Sequence, residues 1–133
     1  MKKLEHIGIA VEDLEASNIL FEKLLGTVSY KTEEVASEGV TTSFFRMGDS
    51  KIELLQALDD NSPIAKFLQK RGEGLHHIAF AVDDIKAEVK RLKAEGFIVL
   101  NENPKRGADN KLVVFLHPKT SGGVLIELCQ EVP

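Results

Sequence analysis

The chain has 133 residues, a formal net charge of −4, 43% hydrophobic and 29% charged residues, which is the composition of an ordinary globular protein. Its length fits one domain, or two half-domains with a shared core, and its acidic balance argues against nucleic acid or an anionic membrane as the main partner. The sequence contains no apolar run typical of a signal peptide or a membrane span. Cys129 is the single cysteine, which excludes an internal disulfide and suits a reducing compartment. We therefore expect a cytoplasmic protein, or an organellar one if a presequence was removed.

The first half of the chain predicts the element order β-α-β-β-β. Residues 3–11 alternate as a half-buried strand, Asp13 can cap the helix that follows, and Gly26 can end it. Three further strands are predicted from β-branched and aromatic residues between turn signals, at residues 27–35, 40–47 and 51–57.

A short helix and a second unit of the same order are predicted next. Ser62 can cap the connecting helix, with Pro63 at its first position. The second unit begins with a strand at residues 75–82 and a helix capped by Asp83 or Asp84. The remaining strands are predicted at residues 97–100, 111–117 and 124–130, with a polar loop at 101–110.

The two units are an internal repeat. The stretch LEHIGIAVEDL at residues 4–14 aligns with LHHIAFAVDDI at 75–85, and IELLQ at 52–56 aligns with IELCQ at 126–130. We therefore interpret the chain as a tandem duplication, with modules at 1–57 and 74–133 and a connecting helix at 58–73. No composition shift marks a linker, so we expect a single domain.

Each half supplies one histidine and one glutamate at matching positions. His6 aligns with His77 and Glu53 with Glu127, and the two histidines lie on strand faces that otherwise carry small residues. A single strand histidine is usually structural, and a single strand glutamate usually faces solvent. The recurrence of both residues in the repeat instead predicts one shared divalent metal site. Imidazole and carboxylate ligands together suit Zn, Ni, Co, Mn or Fe.

Two other candidate residues are assigned structural roles. His76 lies on the strand face opposite His77 by alternation, so we expect it to pack or to support the site. Cys129 is expected to be a small core residue.

The repeat with one histidine and one glutamate per half resembles the vicinal oxygen chelate superfamily, over the whole chain. Within it, the sequence is most similar to the methylmalonyl-CoA epimerase family. The motifs that carry the resemblance are LEHIGIAV at 4–11, NSPIAKFL at 61–68, GLHHIA at 74–79, FLHPK at 115–119 and GGVLIEL at 122–128. The first and third are widespread in the superfamily, whereas the segments around Ser62 and His117 are more particular to epimerases.

The resemblance implies an α+β fold, in which tandem βαβββ modules form an open, curved, eight-stranded mixed sheet around a metal cleft. It implies that His6, Glu53, His77 and Glu127 bind one divalent metal ion. Some epimerases have glutamine in place of Glu53, whereas glyoxalases share the glutamate. Some epimerases also carry a catalytic glutamate where this chain has Thr42, which cannot act as that base.

By this resemblance we expect an isomerase that removes and returns the C2 proton of methylmalonyl-CoA, with Glu127 as the first candidate base and the metal as Lewis acid. Lys111, Lys119 and His117 are candidate contacts for the anionic CoA, although a solvated surface charge is the more common role for each lysine. The resemblance also implies a homodimer. The alternatives are a glyoxalase I-type lactoylglutathione lyase with the same ligand set, and a non-catalytic module that binds a small molecule.

Overall fold

Each half of the chain folds in the order β-α-β-β-β, with one helix between the halves. The computed structural model describes all 133 residues. The first half contains β1 (Lys3–Ala10), α1 (Leu14–Leu25), β2 (Lys31–Val35), β3 (Val40–Met47) and β4 (Ser50–Ala57). The connecting helix is α2 (Pro63–Arg71), and the second half contains β5 (Gly74–Ala81), α3 (Ile85–Ala94), β6 (Lys105–Arg106), β7 (Lys111–Leu116) and β8 (Ile126–Glu131). No α-helix is long and apolar enough to cross a membrane.

The starts of α1 and α3 are built in the same way. The carboxylates of Asp13 and Asp84 accept hydrogen bonds from backbone N–H groups three residues later, which satisfies donors that the first helical turn leaves free. The side-chain oxygens of Gln56 and Gln130 accept hydrogen bonds from the first residues of α1 and α3, at 2.6 and 2.7 Å. The last residue of each repeated IELxQ motif therefore joins the final strand of its half to the helix of that half.

The connecting helix α2 also begins as the sequence predicts. The Ser62 hydroxyl accepts a hydrogen bond from the backbone N–H of Ala65 at 3.1 Å, and Pro63 occupies the first helical position. Proline fits there because its missing N–H would have no partner within the helix.

The chain forms two compact units, each held together by contacts among its own residues. One unit consists of residues 7–76, and the other consists of residues 1–6 together with residues 77–133. In the unit of residues 7–76, β2, β3 and β4 pair as antiparallel neighbours in that order. Its core is formed by Val11, Leu14, Phe45 and Leu54, which lie between α1 and the sheet.

The unit of residues 1–6 and 77–133 contains both parallel and antiparallel pairs. β5 pairs with β8 in parallel, while β8 pairs with β7 and β7 with β6 in antiparallel fashion. α3 covers one face of this sheet through the buried Ile85, Val89 and Leu92. Residues 1–6 belong to this unit, so His6 lies in the same unit as His77 and Glu127.

Two predicted strands are shorter than expected. The strand predicted at 27–35 begins only at Lys31, and residues 97–100 contribute one isolated bridge between Val99 and Leu116. Next to that bridge, the Asn101 side chain accepts a hydrogen bond from the backbone N–H of Phe115 and donates one to the carbonyl of Val113. The side-chain amide of Asn101 therefore makes hydrogen bonds to β7 that the backbone of a longer strand would have made. The short strand β6 pairs with β7 and lies within the predicted polar loop.

Candidate functional site

Three buried side chains meet in the unit of residues 1–6 and 77–133. They are His6 on β1, His77 on β5 and Glu127 on β8, with exposures of 4%, 6% and 7%. The Nε2 atoms of the two imidazoles are 2.9 Å apart. The Glu127 Oε1 lies 3.3 Å from the Nε2 of His77 and 3.8 Å from that of His6. Three of the four predicted ligand side chains therefore converge.

The strand register places Glu127 between one small and one aromatic residue. On β5 its partner is Ala79, which is fully buried, and on β7 its partner is Phe115. The Phe115 ring meets the imidazole of His77 edge to face, with centroids 6.0 Å apart. The two imidazoles also meet edge to face at 5.1 Å. The aromatic contact restricts the rotation of His77.

Glu127 is held in its ionised form. Burial of the carboxylate raises its pKa, but the hydrogen bond with His77 and the electrostatic attraction of the two imidazoles together outweigh burial and the repulsion from Glu5, and the pKa of Glu127 is lowered from its ordinary value. Glu127 is therefore a carboxylate at neutral pH, able to bind a cation or to accept a proton.

The geometry of the three donor atoms fits a single metal ion. The three donor atoms are 2.9, 3.3 and 3.8 Å apart, so the point equidistant from them lies about 2.0 Å from each donor. This distance is close to the usual bond lengths of roughly 2.0–2.2 Å from zinc to imidazole nitrogen and carboxylate oxygen. One ion could thus contact all three donors without a large side-chain movement. Two imidazole nitrogens and one carboxylate oxygen are also the donor types that first-row divalent metals accept.

Glu5 belongs to this site, although no sequence motif marks it. Its Oε1 lies 3.0 Å from the Nδ1 of His6, and its exposure is 5%. Alternation along a strand would place neighbouring residues on opposite faces, so only the structure reveals this contact. Glu5, His6 and Cys129 form a second buried group of potential ligands.

The fourth predicted ligand, Glu53, lies in the unit of residues 7–76. It is 3% exposed on β4 and faces Phe44 across the β3–β4 pair, as Glu127 faces Phe115 in its own unit. On the neighbouring strand Thr42 is fully buried, and its hydroxyl has no hydrogen-bond partner. A buried hydroxyl without a hydrogen-bond partner lowers the stability of the fold.

The histidine beside the site has the structural role predicted for it. The ring of His76 packs edge to face on Phe67 of α2, with centroids 4.9 Å apart. Cys129 is 1% exposed and packs with Ala79 and Val113, which confirms its place in the core.

The structure adds one cation to those selected by sequence, which stay predicted contacts. Lys111 is buried, and its Nζ lies 3.5 Å from the Glu131 carboxylate, while His117 accepts a hydrogen bond from the backbone N–H of Lys119. Lys105 on β6 was not predicted, yet its Nζ lies 5.9 Å from the centre of the Phe115 ring that contacts His77. No local motif marks this lysine, because β6 lies in a stretch that reads as a plain polar loop.

Curated relatives resemble the chain over nearly its full length. The chain is 45% identical over 130 residues to the ethylmalonyl-CoA/methylmalonyl-CoA epimerase of Cereibacter sphaeroides, covering 96% of this chain and 97% of that protein. It is 44% identical over 129 residues to the human mitochondrial methylmalonyl-CoA epimerase, covering 96% of this chain and 73% of that protein.

A solved structure and a family model agree with these relatives. A variant of the Streptomyces coelicolor methylmalonyl-CoA epimerase in complex with 2-nitronate-propionyl-CoA has a TM-score of 0.93 and 34% identity, and the match covers 99% of this chain and 96% of that chain. The predicted glyoxalase-like fold class is thereby confirmed. The model of the glyoxalase/bleomycin resistance protein/dioxygenase superfamily matches residues 5–115, and the chain belongs to this superfamily.

Proposed function

We propose that this protein is an isomerase that interconverts the two C2 epimers of methylmalonyl-CoA. The observation that carries this proposal is the identity of 44–45% with epimerases of that substrate, over almost the whole chain. The Streptomyces epimerase with the same fold is in complex with an acyl-CoA, which supports an acyl-CoA substrate here.

We propose that His6, Glu53, His77 and Glu127 hold one divalent metal ion. The facing donors of His6, His77 and Glu127 support this proposal directly. Glu53 is included by its position in the repeat, where it is the counterpart of Glu127, and it is likewise buried, with an exposure of 3%. The ion, when bound, would act as a Lewis acid for the negative charge that develops on the substrate thioester oxygen.

Glu127 is the proposed base for the C2 proton. Its pKa is lowered, so the side chain is deprotonated at neutral pH before the substrate binds. The C2 hydrogen lies between a thioester and a carboxylate, and a base must approach it within hydrogen-bond distance. Proton removal by Glu127 at one face of C2 and protonation at the other face invert the carbon, and the second proton must come from a donor other than Thr42, which has no carboxylic acid.

Proton exchange in D2O tests this function. The metal-loaded protein is incubated with racemic methylmalonyl-CoA, and deuterium at C2 is followed by NMR beside a sample treated with chelator. Metal-dependent exchange well above the uncatalysed background is expected. An absence of exchange at full metal occupancy would refute the epimerase function, and methylglyoxal with glutathione would then be the next substrate to test.

The glyoxalase-type lyase is less well supported than the epimerase, because the relatives at 44–45% identity are epimerases. Homodimer formation and a cytoplasmic location stay predictions from the sequence. Light scattering coupled to size-exclusion chromatography checks the first, with the mass of two chains as the expected result.

A further inference from the structure

We propose that Glu5 is a positioning residue, which fixes the orientation and the tautomer of His6. This inference rests on the proposed metal site and adds a supporting group to it. Glu5 and His6 are consecutive on β1, both are almost completely buried, and the Glu5 Oε1 lies 3.0 Å from the His6 Nδ1.

The hydrogen bond determines where the proton of the neutral His6 imidazole resides. A neutral imidazole has one N–H and one lone pair, and an ionised carboxylate can only accept a hydrogen bond. The Nδ1 of His6 therefore carries the hydrogen and donates it to Glu5. The lone pair is left on Nε2, the atom that lies 2.9 Å from the Nε2 of His77 and 3.8 Å from the Glu127 Oε1.

This arrangement has two consequences for metal binding. The lone pair of His6 points to the place where the other two donors converge, so His6 itself needs no tautomer change before a cation binds. The negative charge of Glu5 also raises the basicity of the imidazole, as carboxylate–histidine pairs do around other metal ions. Removing such a carboxylate typically weakens metal affinity by about 10–100-fold.

A different use of the same atoms is a second metal site formed by Glu5, His6 and Cys129, whose ligand atoms lie within 4.8 Å of one another. The Nδ1 of His6 cannot both donate a hydrogen to Glu5 and bind a metal. The two arrangements therefore predict different stoichiometries, which are one metal ion per chain with the hydrogen bond and two with the second site.

Three variants separate these possibilities. Glu5→Leu removes the acceptor, Glu5→Gln removes the charge but keeps an oxygen that can accept, and Cys129→Ala is the matched control. A cavity of about 230 Å³ adjoins Glu5, which leaves room for the new side chains. Isothermal titration of the purified, chelator-treated protein with Ni²⁺ gives the affinity and the number of sites. ¹⁵N NMR of the imidazoles gives the tautomer of His6 without metal.

We expect wild type and Cys129→Ala to bind one Ni²⁺ per chain with affinities within twofold of each other. Glu5→Leu should bind about 10–100-fold more weakly, with Glu5→Gln between, and wild-type His6 should show the Nδ1–H tautomer. Ni²⁺ affinity of Glu5→Leu within threefold of wild type would overturn the inference, as would an Nε2–H tautomer in wild type or a second Ni²⁺ that is lost in Cys129→Ala. If wild type itself bound no Ni²⁺, the metal site would fail together with this inference.

Discussion

His77→Ala tests the proposed metal site, because it removes one of the three donors that converge. In wild type the His77 Nε2 lies 2.9 Å from the Nε2 of His6 and 3.3 Å from the Glu127 Oε1. Of the three converging donors, only the His6 imidazole and the Glu127 carboxylate remain, 3.8 Å apart. We expect the variant to fold but to lose most of its metal affinity.

The size of the effect follows from binding linkage. A metal present at 100 times its dissociation constant stabilises the folded state by about 2.7 kcal/mol. For 133 residues, an unfolding entropy of about 2.1 cal/mol/K per residue gives roughly 0.28 kcal/mol/K, so wild type should gain about 10 °C in Tm. If His77→Ala weakens binding about 100-fold, the same metal concentration stabilises it by only about 0.4 kcal/mol, or roughly 1–2 °C.

Thermal unfolding with chelator and with Ni²⁺ measures the difference in Tm for each protein. The matched control is His76→Ala, since His76 is the neighbouring histidine and packs on Phe67 instead of joining the donors. The control should lose some Tm in chelator but keep the metal-induced gain of about 10 °C. A full gain in His77→Ala, or its loss in His76→Ala, would contradict the assignment of the site.

Three further changes test the base, the nearby cation and a surface ion pair. Glu127→Gln should reduce C2 exchange by at least about 100-fold, far more than it weakens Ni²⁺ binding, and a loss of exchange below about threefold would exclude Glu127 as the base. Lys105→Gln should raise the KM for the acyl-CoA severalfold with little change in kcat, and the effect should shrink at high salt, because the lysine lies beside Phe115 at the site. Glu88→Gln should lower the Tm slightly at pH 7. The hydrogen bond that Arg91 donates to Glu88 lowers the pKa of Glu88 below 4.5, and burial opposes this shift. The stability that this ion pair adds to the folded state is therefore present above pH 4.5 and is lost as the pH falls through the lowered pKa. A Tm difference between wild type and Glu88→Gln that persists at pH 2 would contradict this.

A core substitution separates packing from chemistry. Leu128 is fully buried beneath α3, so Leu128→Ala should cost about 2–5 kcal/mol of unfolding free energy. Chemical denaturation in the presence of chelator measures this cost apart from metal binding. A loss below about 1 kcal/mol would mean that the core of this unit relaxes around the cavity.

The sequence alone determined the repeat, the element order and the helix starts. These features are local, since a cap or an alternating strand is encoded within a few consecutive residues. Asp13, Asp84 and Ser62 cap their helices as predicted. The recurrence of His6 and His77, and of Glu53 and Glu127, also identified the candidate ligands before any spatial information was available.

Only the tertiary structure decided which side chains meet. It brings His6 of the first half beside His77 and Glu127 of the second, and it turns Glu5 towards His6 against the simple alternation of a strand. In the tertiary structure the Asn101 side chain also makes hydrogen bonds expected of a strand backbone, and Lys105 lies beside Phe115. Such contacts depend on the register of strands that are far apart in sequence and on the conformations of their side chains. A local pattern of hydrophobicity or charge encodes neither the register nor the side-chain conformations.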